Sequence, residues 1–171
     1  MVGLARGTVD LHDHDPVWRD EYEREVARLR DLLGDRIRDF EHVGSTAVAG
    51  VPAKPVVDVL ALVDDLADAT ELVPVLEREG YAHRANDDVE DRVFLAKGPP
   101  TNRTHYLSIT AVGSDTHREQ VAFRDYLREH PETASAYATL KRSLASEYPD
   151  DRASYTAAKA PFIERVLADA L

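Results

Sequence analysis

The chain has 171 residues, 32 acidic side chains against 21 Lys and Arg, a net charge of −11 and no cysteine. That length fits one domain burying roughly 70% of its unfolded surface, and the missing cysteines exclude disulfides, thiolate metal sites and a cysteine nucleophile. The acidic balance argues against broad nucleic-acid binding, and no apolar run approaches the ~20 residues of a membrane span, so a soluble, cytoplasmic protein is expected.

Nineteen of the acids are Asp, and the cations divide into 17 Arg and only four Lys. This bias resembles proteins of a salt-loaded, halophilic cytoplasm and reads as solvent adaptation. The four lysines are Lys54, Lys97, Lys141 and Lys159. Their scarcity makes each a candidate for a specific role.

Thr8 to Leu11 alternates as a short edge strand would. Asp15-Pro16 then opens a helix, with Asp as N-cap and Pro at the first helical position. Trp18, Tyr22, Val26, Leu29 and Leu33 recur at helical spacing and mark one buried face, and Gly34 ends the helix. Ile37 to Val43 reads as a strand that delivers His42 to a glycine turn.

The segment His42-Val43-Gly44-Ser45-Thr46 through Lys54 to Asp58 places a hydroxyl-and-glycine turn, a lysine and a lone carboxylate between two strands. Gly44 permits close backbone approach, Ser45 and Thr46 offer hydroxyls and N–H groups, and Lys54 supplies positive charge, a combination suited to phosphate. Val56 to Val63 is an almost continuous apolar run, as in a strand covered on both faces. An ionised Asp58 within it is costly unless paired, which marks it as a functional acid or, alternatively, a strand-end polar residue capping a turn.

Asp64-Asp65 starts a second helix with Leu66, Ala69, Leu72, Val73 and Leu76 on one face, closed by Gly80. Tyr81 to Arg84, Arg92 to Lys97 and Thr104 to Val112 are further strands. The Gly98 to Asn102 breaker cluster makes the last two an antiparallel hairpin, and Asn86 to Asp91 is an acidic loop, expected to be mobile. From Asp115 the chain is helical in three segments, broken before Pro131 and at Tyr148 to Asp151. The βαβ-like order implies an α/β or α+β sheet in a core at 1–113, followed by C-terminal helices at 114–171, as one domain over 1–171.

Two i,i+4 pairs, Tyr137 with Lys141 and Tyr155 with Lys159, set a phenol and an ammonium on one side of each late helix; both could equally be surface pairs. Arg124 and Arg128 are spaced to grip an anion along a helix, or to lace a solvent face with Asp125. Arg103 and His105 sit on or beside the last strand, His105 on its more apolar face as a core residue or a ligand contact. His42, next to the turn, has the stronger case for touching ligand. Metal chemistry is thinly supplied: Asp58 is followed two positions on by Leu60, where a second same-face acid would belong, so one hydrated Mg²⁺ shared with a phosphate is the most it could hold.

These motifs resemble the GrpB family, whose members look like nucleotidyltransferase-fold domains. The strongest match is His42-Val43-Gly44-Ser45-Thr46-Ala47-Val48 with Gly50, Lys54-Pro55 and Asp58. Phe123 to Arg128 with His130-Pro131, Tyr137 and Leu140-Lys141 forms a second match, and Tyr155, Lys159 and Phe162-Ile163 a third. The resemblance implies a mixed sheet with flanking helices, Gly44-Ser45 against a triphosphate, and Asp58 as first metal-binding acid for Mg²⁺. It also implies a departure, because a His-Leu-His element common in the family is Tyr106-Leu107-Ser108 here.

The implied function is transfer of a nucleotidyl group from Mg-NTP to an acceptor. Asp58, Ser45 and Lys54 would be catalytic, and His42, Gly44, Thr46, Arg103, His105, Arg124, Tyr137, Lys141, Tyr155 and Lys159 would contact ligand. The alternative is a catalytically decayed regulatory module that binds a nucleotide or a coenzyme-A precursor, the latter hinted at by family members fused to dephospho-CoA kinase. Either way the expected partner is a nucleotide or other phosphorylated small molecule. Oligomeric state is left open.

Overall fold

The computed structural model describes residues 2–171. Helix α1 (Val17–Leu33) leads into strands β1 (Asp39–Val43) and β2 (Val57–Val63), then helix α2 (Leu66–Glu77), strands β3 (Tyr81–His83), β4 (Arg92–Lys97) and β5 (His105–Ala111), and helices α3 (Asp115–Glu129), α4 (Pro131–Glu147) and α5 (Arg152–Ala170). The strands form one mixed sheet in the order β1-β2-β5-β4-β3. Only the central β2–β5 pair is parallel; β1–β2, β3–β4 and β4–β5 are antiparallel. Among the described residues no helix is long and apolar enough to cross a membrane.

Side chains alternate across a pleated sheet, and here the two faces carry opposite chemistry. Val57, Val59, Ala61 and Val63 of β2, with Leu107 and Ile109 of β5 and Leu95 of β4, pack against Leu29 and Leu33 of α1 and Leu72 and Leu76 of α2 in the main core. The register aligns Asp58 with Tyr106 and Leu60 with Ser108 on β5, and Ser108 with Phe94 on β4. These residues face the C-terminal helices. Helix α3 covers Leu60 and Leu62 through Val121, so β2 is clothed on both sides while its second residue stays polar.

Most boundaries follow local chemistry. Helix α1 begins one residue later than expected, at Val17 with Pro16 as N-cap; Asp15 Oδ1 still accepts from Val17 N–H at 3.0 Å, and Gly34 closes the helix at φ +57°. Asp65, Ser114 and Asp151 accept from the first-turn amides of α2, α3 and α5, each a side-chain N-cap. β4 and β5 form the expected hairpin, and the acidic loop before β4 is tied down: Asp88 accepts from Phe94 N–H and Asp91 from the Thr116 amide and hydroxyl.

Thr8 to Leu11, by contrast, is not a strand. The N-terminal segment runs as a strap, joined by isolated bridges at Leu4–Arg103 and His12–Ala53 and by Val9 N–H to Pro149 C=O at 2.9 Å. Four alternating residues carry no signal separating a strand from a segment that pairs one residue at a time.

The apolar face has one charged inclusion. Glu25 of α1, 4% exposed, accepts from Lys97 Nζ at 2.8 Å through both carboxylate oxygens and from Tyr81 Oη at 2.5 Å. Burial raises the Glu25 pKa, but these hydrogen bonds outweigh it and hold the carboxyl below its usual range. A depressed folded-state pKa adds stability above the unfolded value near ~4.3 and loses it as pH falls through the folded value. Lys97→Met leaves that charge buried and unpaired, and is expected to cost about 3–5 kcal/mol, measured by urea denaturation at pH 7; a cost under about 1 kcal/mol would show that Glu25 is solvated by other means.

Candidate functional site

Between the polar face of the sheet and helices α3, α4 and α5 lies a cavity of about 430 Å³, within the range of small-ligand sites. One end is ionic. Asp58 projects from β2, Lys54 from the loop before it, Lys141 from α4, and Arg152 and Lys159 from α5. Gly44, Ser45 and Thr46 also line the cavity, as do Phe94, Phe123, Ile163 and Leu167 and, from α3, Glu119 and Gln120.

The glycine turn is built around the acid. Gly44 has φ +74° and ψ −175°, a region open essentially to glycine alone, and a Cβ there would collide with the Asp58 carboxylate. Residues 45–47 then form one 3₁₀ turn. Lys141 Nζ secures it, donating to Ser45 Oγ at 2.6 Å and to Pro52 C=O at 2.7 Å. From outside, Arg128 donates twice to Ala47 C=O, at 2.7 and 3.0 Å.

Lys54 is pinned through its neighbours. Ala53 exchanges backbone hydrogen bonds with His12 at 2.9 and 3.0 Å, and Pro55 C=O accepts from Gly3 N–H at 2.7 Å. The N-terminal strap therefore fixes the chain on both sides of this lysine.

Electrostatics at the ionic end are strongly coupled. Burial lowers the Lys54 pKa to about 7, assisted by Lys159 and Arg152 and opposed by Asp58. Burial likewise lowers Lys159 to about 8, with Asp58 opposing and Arg152 assisting, and carries Lys141 well below the usual lysine value. Burial raises the Asp58 carboxyl, while Lys54, Lys159, Arg152 and Lys141 pull it back. One carboxylate thus faces four cationic groups.

The structure gathers Asp58, Ser45, Lys54, Gly44, Thr46, Tyr137, Lys141 and Lys159 around this one space. The Tyr–Lys pairs are not surface pairs: Lys141 Nζ lies 5.2 Å from the Tyr137 ring centroid and Lys159 Nζ 4.6 Å from that of Tyr155, both rings being buried. Tyr155 does not line the cavity; its ring supports two of the lysines from behind, with Lys54 Nζ at 5.6 Å.

Besides Tyr155, four expected ligand contacts lie elsewhere. His42 pairs with Val59 and faces α1, where it stacks on Tyr22 at 4.5 Å and shares a 2.9 Å hydrogen bond with Thr46 Oγ1; burial lowers its pKa to about 4, keeping the ring neutral. His105 shares that face with Val57 and lies near Glu25. Arg103 donates to Gly98 C=O at 2.5 Å. Arg124 is spent on Glu41 at 2.5 Å, His42 C=O at 3.1 Å and Asp125 at 2.9 Å. The Arg124–Arg128 pair therefore grips β1 and the glycine turn, not an anion.

Arg152, Glu119, Gln120 and Phe94 line the cavity without a role expected from the sequence, as do Tyr106 and Ser108, which stand at the family's His-Leu-His element. A signal existed for Arg152: with Thr156, Lys159 and Ile163 it follows i, i+4, i+7 and i+11, one stripe of a helix. Glu119 and Phe123 are likewise four apart on α3.

Mg²⁺ seeks near-octahedral oxygen ligation, and two-metal transfer needs several convergent carboxylates. Asp58 is the single acid the sheet brings to the cavity; Leu60 is fully buried beneath α3 and Ser108 occupies the register position beside it. Among the described residues no three of His, Cys, Asp and Glu gather to hold an ion. A dication would also meet four cationic groups. These residues do not fit a resident Mg²⁺.

Gly44→Ala tests the convergence of turn and acid. It is expected to destabilise the fold by about 1–3 kcal/mol through its backbone conformation, with a further loss from the collision that an Asp58→Ala background relieves. The measurement is a double-mutant cycle in urea; strictly additive effects would show that residue 44 and Asp58 do not meet.

The family model described as GrpB protein matches residues 8–169. The chain is 32% identical to glutamate-rich protein GrpB of Alkalihalophilus pseudofirmus, over 98% of each chain, and 38% identical to a UPF0157 protein of Pseudomonas aeruginosa, over 95% of this chain and 68% of the relative. The crystal structure of conserved protein GrpB from Enterococcus faecalis superposes with a TM-score of 0.86 at 33% identity, covering 94% of this chain and 96% of that one. With the same α+β architecture and a match along almost its entire length, this chain belongs to the GrpB family.

Proposed function

We propose that the cavity recognises a phosphorylated small molecule of nucleotide size, and that its cation set carries the phosphate charge in place of a resident metal. The observation supporting this is the convergence of Lys54, Lys141, Lys159 and Arg152 on one carboxylate, a local excess of cationic groups in a chain of net charge −11. An anion entering there relieves mutual repulsion and favours the protonated lysines. The wall of Phe94, Phe123, Ile163 and Leu167 offers apolar area for a base or other flat group, and Glu119 and Gln120 offer polar contacts to its edge.

Binding of sulfate, whose charge is constant near neutrality, tests the electrostatic core of this reading. Lys54 and Lys159 titrate at about 7 and about 8, and each proton lost removes a positive charge, so affinity should fall steadily from pH 7 to pH 9. Lys159→Met should weaken binding about tenfold or more, the worth of one charge-assisted hydrogen bond. Titration calorimetry reads both, and an affinity insensitive to pH and to this substitution would overturn the reading.

A second reading, nucleotidyl transfer to an acceptor, is favoured by the Gly44-Ser45 turn abutting Asp58. Incubation with α-labelled NTPs, Mg²⁺ or Mn²⁺ and cell extract separates the two. Label on an acceptor, absent with Asp58→Ala, supports transfer; nucleotide-dependent thermal stabilisation without label supports recognition alone.

A further inference from the structure

Arginine supplies 17 of the 21 Lys and Arg residues of this chain, yet three of its four lysines line one cavity. Arginine binds phosphate at least as well as lysine, through a planar fork. What lysine adds is an amine able to shed its proton and act as a nucleophile. The cavity therefore holds the residue type needed for covalent chemistry where the rest of the chain avoids it.

The four lysines are not equivalent. Lys97 is ion-paired with buried Glu25 at 2.8 Å. Lys141 donates to Ser45 Oγ and Pro52 C=O, both of which use its protons. Lys159 sits close over the Tyr155 ring, at 4.6 Å, a contact that favours its charged form. Lys54 is left: like that of Lys159, its Nζ has no hydrogen bond or ion pair among the described residues, but its ring contact is longer at 5.6 Å and its backbone is held on both sides by the N-terminal strap. The groups acting on it are Lys159 and Arg152 from α5 and Asp58 from β2, with Lys141 of α4 beyond.

We propose that Lys54 is an amine nucleophile that forms an imine with a phosphorylated aldehyde or ketone bound in this cavity. The proposal rests on the phosphate reading above for the placement of its substrate. The Nζ lone pair attacks the carbonyl carbon, forming a C–N bond as the C=O π bond opens; the oxygen takes up one proton while the nitrogen releases one of its own. The resulting carbinolamine loses its hydroxyl with another proton as water, nitrogen gives up its remaining extra proton, and imine plus water are the products; no oxidant or reductant is consumed. Asp58, whose carboxyl burial raises toward the protonated form and which acts directly on Lys54, lends and recovers that proton. Arg152 and Lys159 meet the phosphate.

Pyridoxal 5′-phosphate is the probe, with pyridoxal as the phosphate-free control. The full chain is incubated with each, reduced with borohydride and mapped by peptide mass spectrometry; four lysines and one α-amine are the possible targets. The expected result is a reduced adduct concentrated on Lys54, on the order of tenfold over any other amine, formed faster with the phosphorylated probe and absent in Lys54→Arg. Adduct on Lys54 with equal efficiency from both probes would uphold the nucleophile and count against the phosphate reading. Pyridoxal phosphate that binds reversibly, competes with sulfate and leaves no adduct on Lys54 would overturn the nucleophile and leave the phosphate reading standing. Adduct on Lys97, Lys141, Lys159 or the α-amine in preference to Lys54 would overturn it as well.

Discussion

A half-buried carboxylate on an inner strand of a sheet, without an ion-pair partner of its own within the sheet, requires counter-charge from elsewhere, and much of this molecule is arranged around that requirement. Asp58 receives it from Lys54 in the preceding loop, Lys141 on α4, and Arg152 and Lys159 on α5. Removing charges of one sign from water is expensive unless the other sign is brought along. The C-terminal helices are thereby tied to the core by electrostatics as well as by the contacts of Val48, Val51, Leu127 and Tyr137. The supply exceeds the need, and that excess is the ground for the proposed recognition of an anion between sheet and helices.

Division of labour between the two sheet faces makes this possible. One face is closed by α1 and α2 into an oily core in which the polar Glu25 and His42 are each hydrogen-bonded. The other is left open enough near Asp58 and Tyr106 to form a cavity, and is closed where Leu60 meets α3. The alternation of a strand decides which chemistry each residue can join. Asp58 and its neighbours Val57 and Val59 are adjacent in sequence and on opposite sides of the sheet.

The same alternation accounts for His42 and His105. Proximity in sequence to the glycine turn made His42 a natural ligand candidate, but its register with Val59 turns it toward α1, and its Nε2 meets Thr46 from behind the turn. Arg124 and Arg128 show the other way in which spacing misleads. Four residues apart, they do act as a pair, and what they hold is backbone carbonyls and Glu41. Spacing identifies residues that work together and is silent on what they work on.

Local chemistry alone determined the helices, their caps, the β4–β5 hairpin and the family, because each is written in contiguous residues: periodic apolar positions, Asp65 and Ser114 before their helices, breakers from Gly98 to Asn102, and the Gly44-Ser45 to Asp58 segment. The lysine scarcity that singled out Lys54, Lys141 and Lys159 is likewise a property of composition. Only the tertiary structure decided that those three share a cavity with Arg152, that Lys97 belongs to Glu25 on the far side of the sheet, and that the N-terminal segment is a strap over Lys54 and not a strand. Those outcomes depend on strand register and helix packing between residues as much as 105 positions apart, from Lys54 to Lys159, and no local pattern carries that information.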